Sequence, residues 1–379
     1  MSAPQVLSLG KIGNDLRFSI HYAVDLFFGP NVSSIGQLNP VYQLLADRFW
    51  LGADGALARD NAFVRTDVFP DQPGANFDVA ARANGWFGVT YQEEAPFNSL
   101  ESNVAYGFEE IPYSRFEGAD PSIAEINGGR LVLTWTGTAP GQSDGNGSGI
   151  LMRILNTDGT MTAPVIVNTS RTGNQTLSEI ATDFDGEFTI AWADSASVRF
   201  QIFLSSGAFF AGERIANSLS QSSVQSVDVK YLTNSNILVY WSAFNHALRP
   251  GETALLARMH SDNGTPLGTE FVVAGGDVTS RFSVTDLPGG GFLFAWAEKT
   301  TGGSLPGYDI RVQLYSATGE KIGGSYVVNT PLAGDQVSPS VAYLGDNYAV
   351  VAWETLDNTG AGASVSAQVI KLERSANGG

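Results

Sequence analysis

The stretch YDIRVQLYSATGEKIGGSYVVNTPLAGDQVSPSVAYLGDNYAVVAWE, Tyr308–Glu354, holds one full turn of a repeat. Its first strand, YDIRVQLY (Tyr308–Tyr315), alternates apolar and polar residues with period two, as a strand with one buried face does. The turn SATGE (Ser316–Glu320) follows, and Gly there takes the positive φ that a tight hairpin needs. SYVVN (Ser325–Asn329) is the next strand, and PSVAYL (Pro339–Leu344) the one after it. NYAVVAW (Asn347–Trp353) ends the turn of the repeat on Trp.

Outward from this stretch the Trp strand recurs. It reads GRLVLTW at Gly129–Trp135, GEFTIAW at Gly186–Trp192, SNILVYW at Ser235–Trp241 and GGFLFAW at Gly290–Trp296, with the variant GWFGVTY at Gly85–Tyr91. Successive final aromatics lie 44, 57, 49, 55 and 57 residues apart, a period near fifty. The companion strands recur too: PSIAEI (Pro121–Ile126) before the Trp strand, GILMRIL (Gly149–Leu155) and ALLARM (Ala254–Met259) after it. The turns NTDGT (Asn156–Thr160) and SDNGT (Ser261–Thr265) lead to PVIVN (Pro164–Asn168) and EFVVA (Glu270–Ala274).

Each unit therefore predicts a four-stranded antiparallel sheet with two apolar faces, which one sheet cannot bury alone. Stacking such sheets around an axis buries both faces, and that architecture is a β-propeller. The fold class expected is all-β, a propeller of seven four-stranded blades, with six as the alternative. Residues 1–379 then form one domain, with blades near 1–70, 71–119, 120–170, 171–219, 220–275, 276–330 and 331–379. The first unit is degenerate: PQVLSLG (Pro4–Gly10) matches PSVAYLG (Pro339–Gly345) at Pro, Val, Leu and Gly. The last blade is expected to be incomplete, because the sequence reaches a third strand at Ser364–Leu372 and then RSANGG (Arg374–Gly379). A partner chain, self-association or a longer polypeptide would cover that edge. Tyr91, Trp135, Trp192, Trp241, Trp296 and Trp353 are the expected blade anchors, filling the space between neighbouring blades.

Composition sets the limits on chemistry. The 379 residues include 21 Lys+Arg against 38 Asp+Glu, a net charge of −17, which disfavours nucleic acid and anionic membranes as partners. There is no Cys, which excludes thiolate catalysis and zinc–thiolate or iron–sulfur sites, and only 3 His. No stretch of 18 apolar residues offers a spanning helix, and no cleavable N-terminal signal peptide is evident.

Tyr308–Glu354 also resembles the tandem repeats of very large secreted bacterial proteins, the RTX-type adhesins and haemolysin-type calcium-binding proteins. The resemblance is close over about 250–379, recognisable over about 120–250 and weak before 120. It implies a propeller-like β-fold, export to the cell surface or medium without an N-terminal signal, and adhesion or matrix binding without a known catalytic activity. The RTX nonapeptide itself is missing from this sequence.

Several residues could carry chemistry. Asp144, Asn146 and Ser148, spaced by Gly, have the oxygen-bearing pattern of the front of a calcium loop, although the Glu that should close it is absent. The same pattern suits a solvated loop. Asp357–Gly360 and Thr301–Ser304 are weaker versions. Glu93-Glu94 and Glu109-Glu110 invite a glycosidase reading, but adjacent strand residues point to opposite faces. His246 in FNHALRPG (Phe244–Gly251), with Tyr240 and Arg249, could serve a lyase.

These observations lead to an expectation of a non-catalytic extracellular module for adhesion or assembly, with calcium as a candidate stabiliser, that binds a glycan or a protein surface through its loops. A propeller-type carbohydrate-active enzyme or lectin is the alternative, and a structural subunit of a virion or cell-surface filament is another.

Overall fold

A computed structural model describes residues 5–12, 15–26, 41–51, 57–70, 77–81, 87–92, 99–106, 109–110, 114–137, 144–300, 307–330, 334–356 and 363–372. Among these residues the strands form seven antiparallel sheets. Their first strands are Gln5–Ile12, Phe77–Ala81, Ala119–Ile126, Gln175–Thr182, Ser223–Tyr231, Val278–Asp286 and Asp335–Gly345. Each first strand packs beside the next, and Asp335–Gly345 packs back on Gln5–Ile12, so these inner strands close a cycle around an axis. Within a sheet, sequential strands pair outward from the axis, except that in the second sheet Ser114–Glu117 turns back to pair with Ser99–Tyr106. The molecule is a β-propeller. Its last sheet has three strands among the described residues, the outermost being Ala363–Lys371.

Local chemistry explains the hairpins at the rim. In Asn156–Thr160 the Asn156 N–H donates to Thr160 O at 2.8 Å, and the Gly159 N–H donates to Asn156 O at 3.1 Å. The same pair of bonds recurs in Leu204–Ala208, Ser261–Thr265 and Ser316–Glu320. The fourth residue of each is Gly, with φ between 81° and 84°, the left-handed position that follows a type I turn in a hairpin.

Apolar cores fill the gaps between blades rather than the middle of any one blade. Trp192 is fully buried among Ile126, Val132, Ile150 and Met152 of the preceding sheet and Ile180, Phe188 and Ile190 of its own. Trp241 joins the next interface with Phe200, Ile202, Val227 and Val239. Trp296 and Trp353 anchor the two interfaces after that. Trp135, also buried, packs on Leu151. Tyr91 lies on Phe87–Gln92, opposite Phe77 and Glu101. Alternation along each strand sends successive side chains to opposite neighbours, which is why one Trp per blade suffices.

His260 is an unusual member of these interfaces. It is completely buried, its ring is tilted on Phe200 at 4.7 Å, and neither ring nitrogen has a partner of ordinary hydrogen-bond geometry. Burial, assisted by the nearby charge of Arg258, pulls its pKa down to about 4 from an ordinary 6.5. A depressed histidine favours the folded state fully above about pH 6.5, and that contribution fades as pH falls towards 4. The shift corresponds to about 3 kcal/mol. Urea melts at pH 7 and pH 4.5 are expected to show a smaller acid loss in His260→Phe than in the parent. Equal acid loss in both would remove His260 as its source.

Candidate active site

The inner strands are edge strands, so the amides that face away from their own sheet need partners from elsewhere. One side chain per blade is placed to supply them. Asp78 pairs across its sheet with Thr90, Ser122 with Thr134, Glu179 with Ala191, Asp228 with Tyr240, Ser283 with Ala295 and Ser340 with Ala352. Each is the residue thirteen positions before its blade's anchor aromatic. Six blades thus present equivalent positions to the axis, and three of these positions hold carboxylates.

A local distortion aims them. The pairing register slips just before Ser122, Glu179 and Ser340. Two residues before each of these, Asp120, Leu177 and Ser338 adopt φ of 50°, 59° and 52°. A bulge of this kind kinks the strand and redirects the next side chain. Leu177 in the left-handed region is strained by about 1–2 kcal/mol, a cost carried by the surrounding packing. The bulge is also bonded to the blade before it, since the Leu177 N–H donates to Asp120 Oδ2 at 3.2 Å.

Four of the six positions do capping work or have a serine's small reach. Asp78 Oδ2 accepts from Ser122 Oγ at 2.9 Å and from the Ile123 N–H at 2.8 Å. Ser122 Oγ accepts from the Ile180 N–H at 3.3 Å, and Ser283 Oγ from the Val341 N–H at 3.2 Å. Glu179 and Asp228 depart from this pattern. The Val229 N–H, which Glu179 would otherwise cap, goes to Asp228 Oδ1 at 2.6 Å. Asp228 Oδ2 accepts from the Tyr240 hydroxyl.

The electrostatics follow from this crowding. Burial, and then the charges of Asp228 and Asp78, hold the Glu179 carboxyl well above the usual carboxylate range. Burial also pushes Asp228 up to about 6, while the Tyr240 hydroxyl and the Val229 amide restrain the rise. Both side chains are hemmed in by protein yet keep some solvent exposure. Lys230, two residues along the strand from Asp228, is engaged by Asp286 at 3.5 Å.

The residues singled out in the sequence fare differently. Asp144 and Ser148 come together in a buried joint between blades, and Asn146 is exposed. Asp144 Oδ1 accepts from the Asn146 N–H at 3.0 Å, and Oδ2 from Asn168 Nδ2 at 2.7 Å. Ser148 Oγ donates to Gln175 O at 2.8 Å. Among the described residues no three His, Asp or Glu side chains gather as metal ligands. Because the side-chain oxygens of Asp144 and Ser148 are already engaged, melting in millimolar calcium and in chelator is expected to give the same midpoint. A rise with calcium would restore the loop as a native-state binder.

His246 is also fully buried. Its Nδ1 accepts from the Leu248 N–H at 3.1 Å, so Nε2 carries the proton and meets Glu270 Oε1 at 3.0 Å. Arg249 pairs with Glu252 at 3.2 Å, and Tyr240 serves Asp228, so the three residues suggested for a lyase do not converge. Glu109 and Glu110 form a short strand opposite Tyr106 and Ala105. Glu93, Glu94, Asp357–Gly360 and Thr301–Ser304 lie outside the described residues.

Sequence reasoning passed over two features. One is the ring position thirteen residues before each anchor. The other is the motif Asn-Thr-x-x-x-Gly-Asx-Gln, at 168–175 and again at 329–336. In both copies the Asn Oδ1 caps a strand amide, from Ile150 or Ile310, at 2.8 Å. Its Nδ2 reaches the Gln Oε1 at 3.1 Å. Gly147 and Gly307 let these joints close, since a Cβ on either would stand 2.5 Å from the Gly173 or Gly334 carbonyl oxygen. The repeated spacing was a readable signal for this joint.

No known protein-family profile matches the chain, and no curated protein does. Solved structures do. A protein of unknown function from Dyadobacter fermentans is 12% identical, covers 79% of this chain and 94% of its own, and has a TM-score of 0.53. NanB in complex with optactamide is 8% identical, covers 94% and 90%, and scores 0.51. A mutant of NanB sialidase from Streptococcus pneumoniae is 10% identical, covers 94% and 65%, and scores 0.46. The arabinanase of Bacillus subtilis is 11% identical, covers 66% and 93%, and scores 0.34. Likeness at such identities speaks for the propeller fold. It also corrects the expectation of a non-catalytic adhesion or assembly module. Among the solved propellers scoring above 0.5 is NanB, named as a sialidase, in line with the carbohydrate-active alternative.

Proposed function

We propose that this propeller is a carbohydrate-active enzyme that hydrolyses a glycosidic bond where its inner-strand carboxyls converge on the axis. The observation that carries the reading is the pair Glu179 and Asp228, carboxyls from equivalent positions on adjacent blades that are free of the capping role. Glycoside hydrolysis needs one carboxylic acid that is protonated at working pH and one carboxylate that is not. Glu179, held well above the usual range, supplies the proton to the leaving oxygen. Asp228, at about 6, is ionised at neutral pH and acts as base or nucleophile. Asp78, held by Ser122 and the Ile123 amide, keeps a third acidic group beside the other two.

The test is a panel of 4-nitrophenyl glycosides, an aryl sialoside and linear polysaccharides, incubated with the purified chain between pH 4 and pH 9. At least one is expected to be cleaved, with activity rising through about pH 6 as Asp228 ionises. Failure to cleave any member at any pH would overturn the enzymatic reading.

A further inference from the structure

Asp228, one of the three axial carboxylates, is held by an aromatic hydroxyl. Tyr240 stands directly across the sheet from it, and its hydroxyl donates to Asp228 Oδ2. The tyrosine is 3% exposed and cannot swing away. Its ring meets Phe282 edge-on at 5.1 Å and Phe294 edge-on at 5.7 Å, both from the next blade. Those two rings are in turn stacked on each other at 5.6 Å. Contacts of this geometry are favourable beyond the area they bury. The other oxygen of Asp228 is fixed by the Val229 amide, so the carboxylate is held at both ends.

The position of Tyr240 is informative. It is the residue just before the anchor Trp241, where the other anchored blades carry Thr90, Thr134, Ala191, Ala295 and Ala352. None of those five matches the reach of a tyrosine, and Thr134 directs its hydroxyl to Leu151 O at 3.0 Å. Inter-blade packing alone is met by small residues at this place. The tyrosine occurs on the blade whose ring position is Asp228.

We infer that Tyr240 is a positioning residue for the glycosidic chemistry, fixing the orientation of the Asp228 carboxylate through a hydroxyl that Phe282 and Phe294 lock in place. The inference rests on the enzymatic reading above. It assigns Tyr240 no contact with substrate. A donor to the charged form of an acid favours ionisation, so the same bond also lowers the pH at which Asp228 ionises.

Tyr240→Phe keeps the ring and removes only the hydroxyl. Carbon-13 NMR titration of Asp228, assigned with Asp228→Asn, is expected to show the midpoint rising by about one unit in Tyr240→Phe. On whichever panel glycoside is cleaved, the acid limb of kcat/KM is expected to rise by the same amount, with kcat down about tenfold and KM unchanged. In the Asp228→Asn background, Tyr240→Phe is expected to cause no further loss of kcat. An unmoved midpoint, or an additional loss in the double variant, overturns the positioning role. A moved midpoint with no glycoside cleaved overturns the enzymatic reading instead, and reduces the Tyr240–Asp228 bond to a structural contact.

Discussion

Glu179→Gln is expected to lower kcat on a cleaved glycoside by about 10²–10⁴-fold, the usual contribution of a positioned general acid. Gln matches the volume of Glu and removes only the transferable proton. The loss should depend on the leaving group. Aryl glycosides with an acidic phenol need little protonation and should suffer least, while unactivated sugars should suffer most. A uniform loss across leaving groups would move the proton-donor role away from Glu179. Asp228→Asn should cause a loss of similar size that does not vary in this way.

These two substitutions should also stabilise the fold at neutral pH. Asp228 has a folded pKa of about 6 against an ordinary 3.8. Its contribution to stability is therefore present below about pH 4 and is lost as pH rises through 6. With some solvent exposure, the loss amounts to about 1–3 kcal/mol. Urea melts at pH 7.5 that show Asp228→Asn more stable than the parent would mark a site where function is held at the expense of stability.

The second large effect concerns the scaffold. Trp192→Ala is expected to destabilise by about 3–5 kcal/mol, because it empties the middle of the interface between two blades. Trp192 is completely buried, between Ile150 and Met152 on one side and Phe188 and Ile190 on the other. Its indole N–H has no hydrogen-bond partner. Trp192→Phe should accordingly cost far less, since it retains an aromatic ring and removes an unpaired buried donor. Urea denaturation followed by far-UV circular dichroism measures both. A loss below about 1 kcal/mol for Trp192→Ala would show that the interface collapses around the gap or does not depend on it.

Much of the scaffold was readable in the sequence for simple reasons. Period-two alternation reports a strand wherever one side is buried. A Gly at the fourth place of Asn156–Thr160, Ser261–Thr265 or Ser316–Glu320 reports a turn, because few other residues accept that φ. The anchors Trp135, Trp192, Trp241, Trp296 and Trp353 are large, scarce and evenly recurring, so their burial could be inferred from their pattern. His246 misleads for the opposite reason. In sequence it is a polar residue in a polar loop, and Glu270, which buries and pairs it, lies 24 residues away. Asp144 misleads similarly, since the Asn168 and Gln175 that take up its loop lie just past the blade's fourth strand and at the start of the next blade.

The repeat by itself determined the all-β class, the stacking of sheets about an axis and the residues between them, because these follow from alternation, turn geometry and the need to bury two apolar faces. Which carboxylates meet was decided only by the tertiary structure. Asp78, Glu179 and Asp228 look like ordinary strand residues, scattered over three repeats. Closure of the inner strands into a cycle brings them to one axis, and the bulge at Leu177 turns Glu179 into place. A side chain's face is a local property of the strand, whereas convergence on an axis is a property of the closed ring.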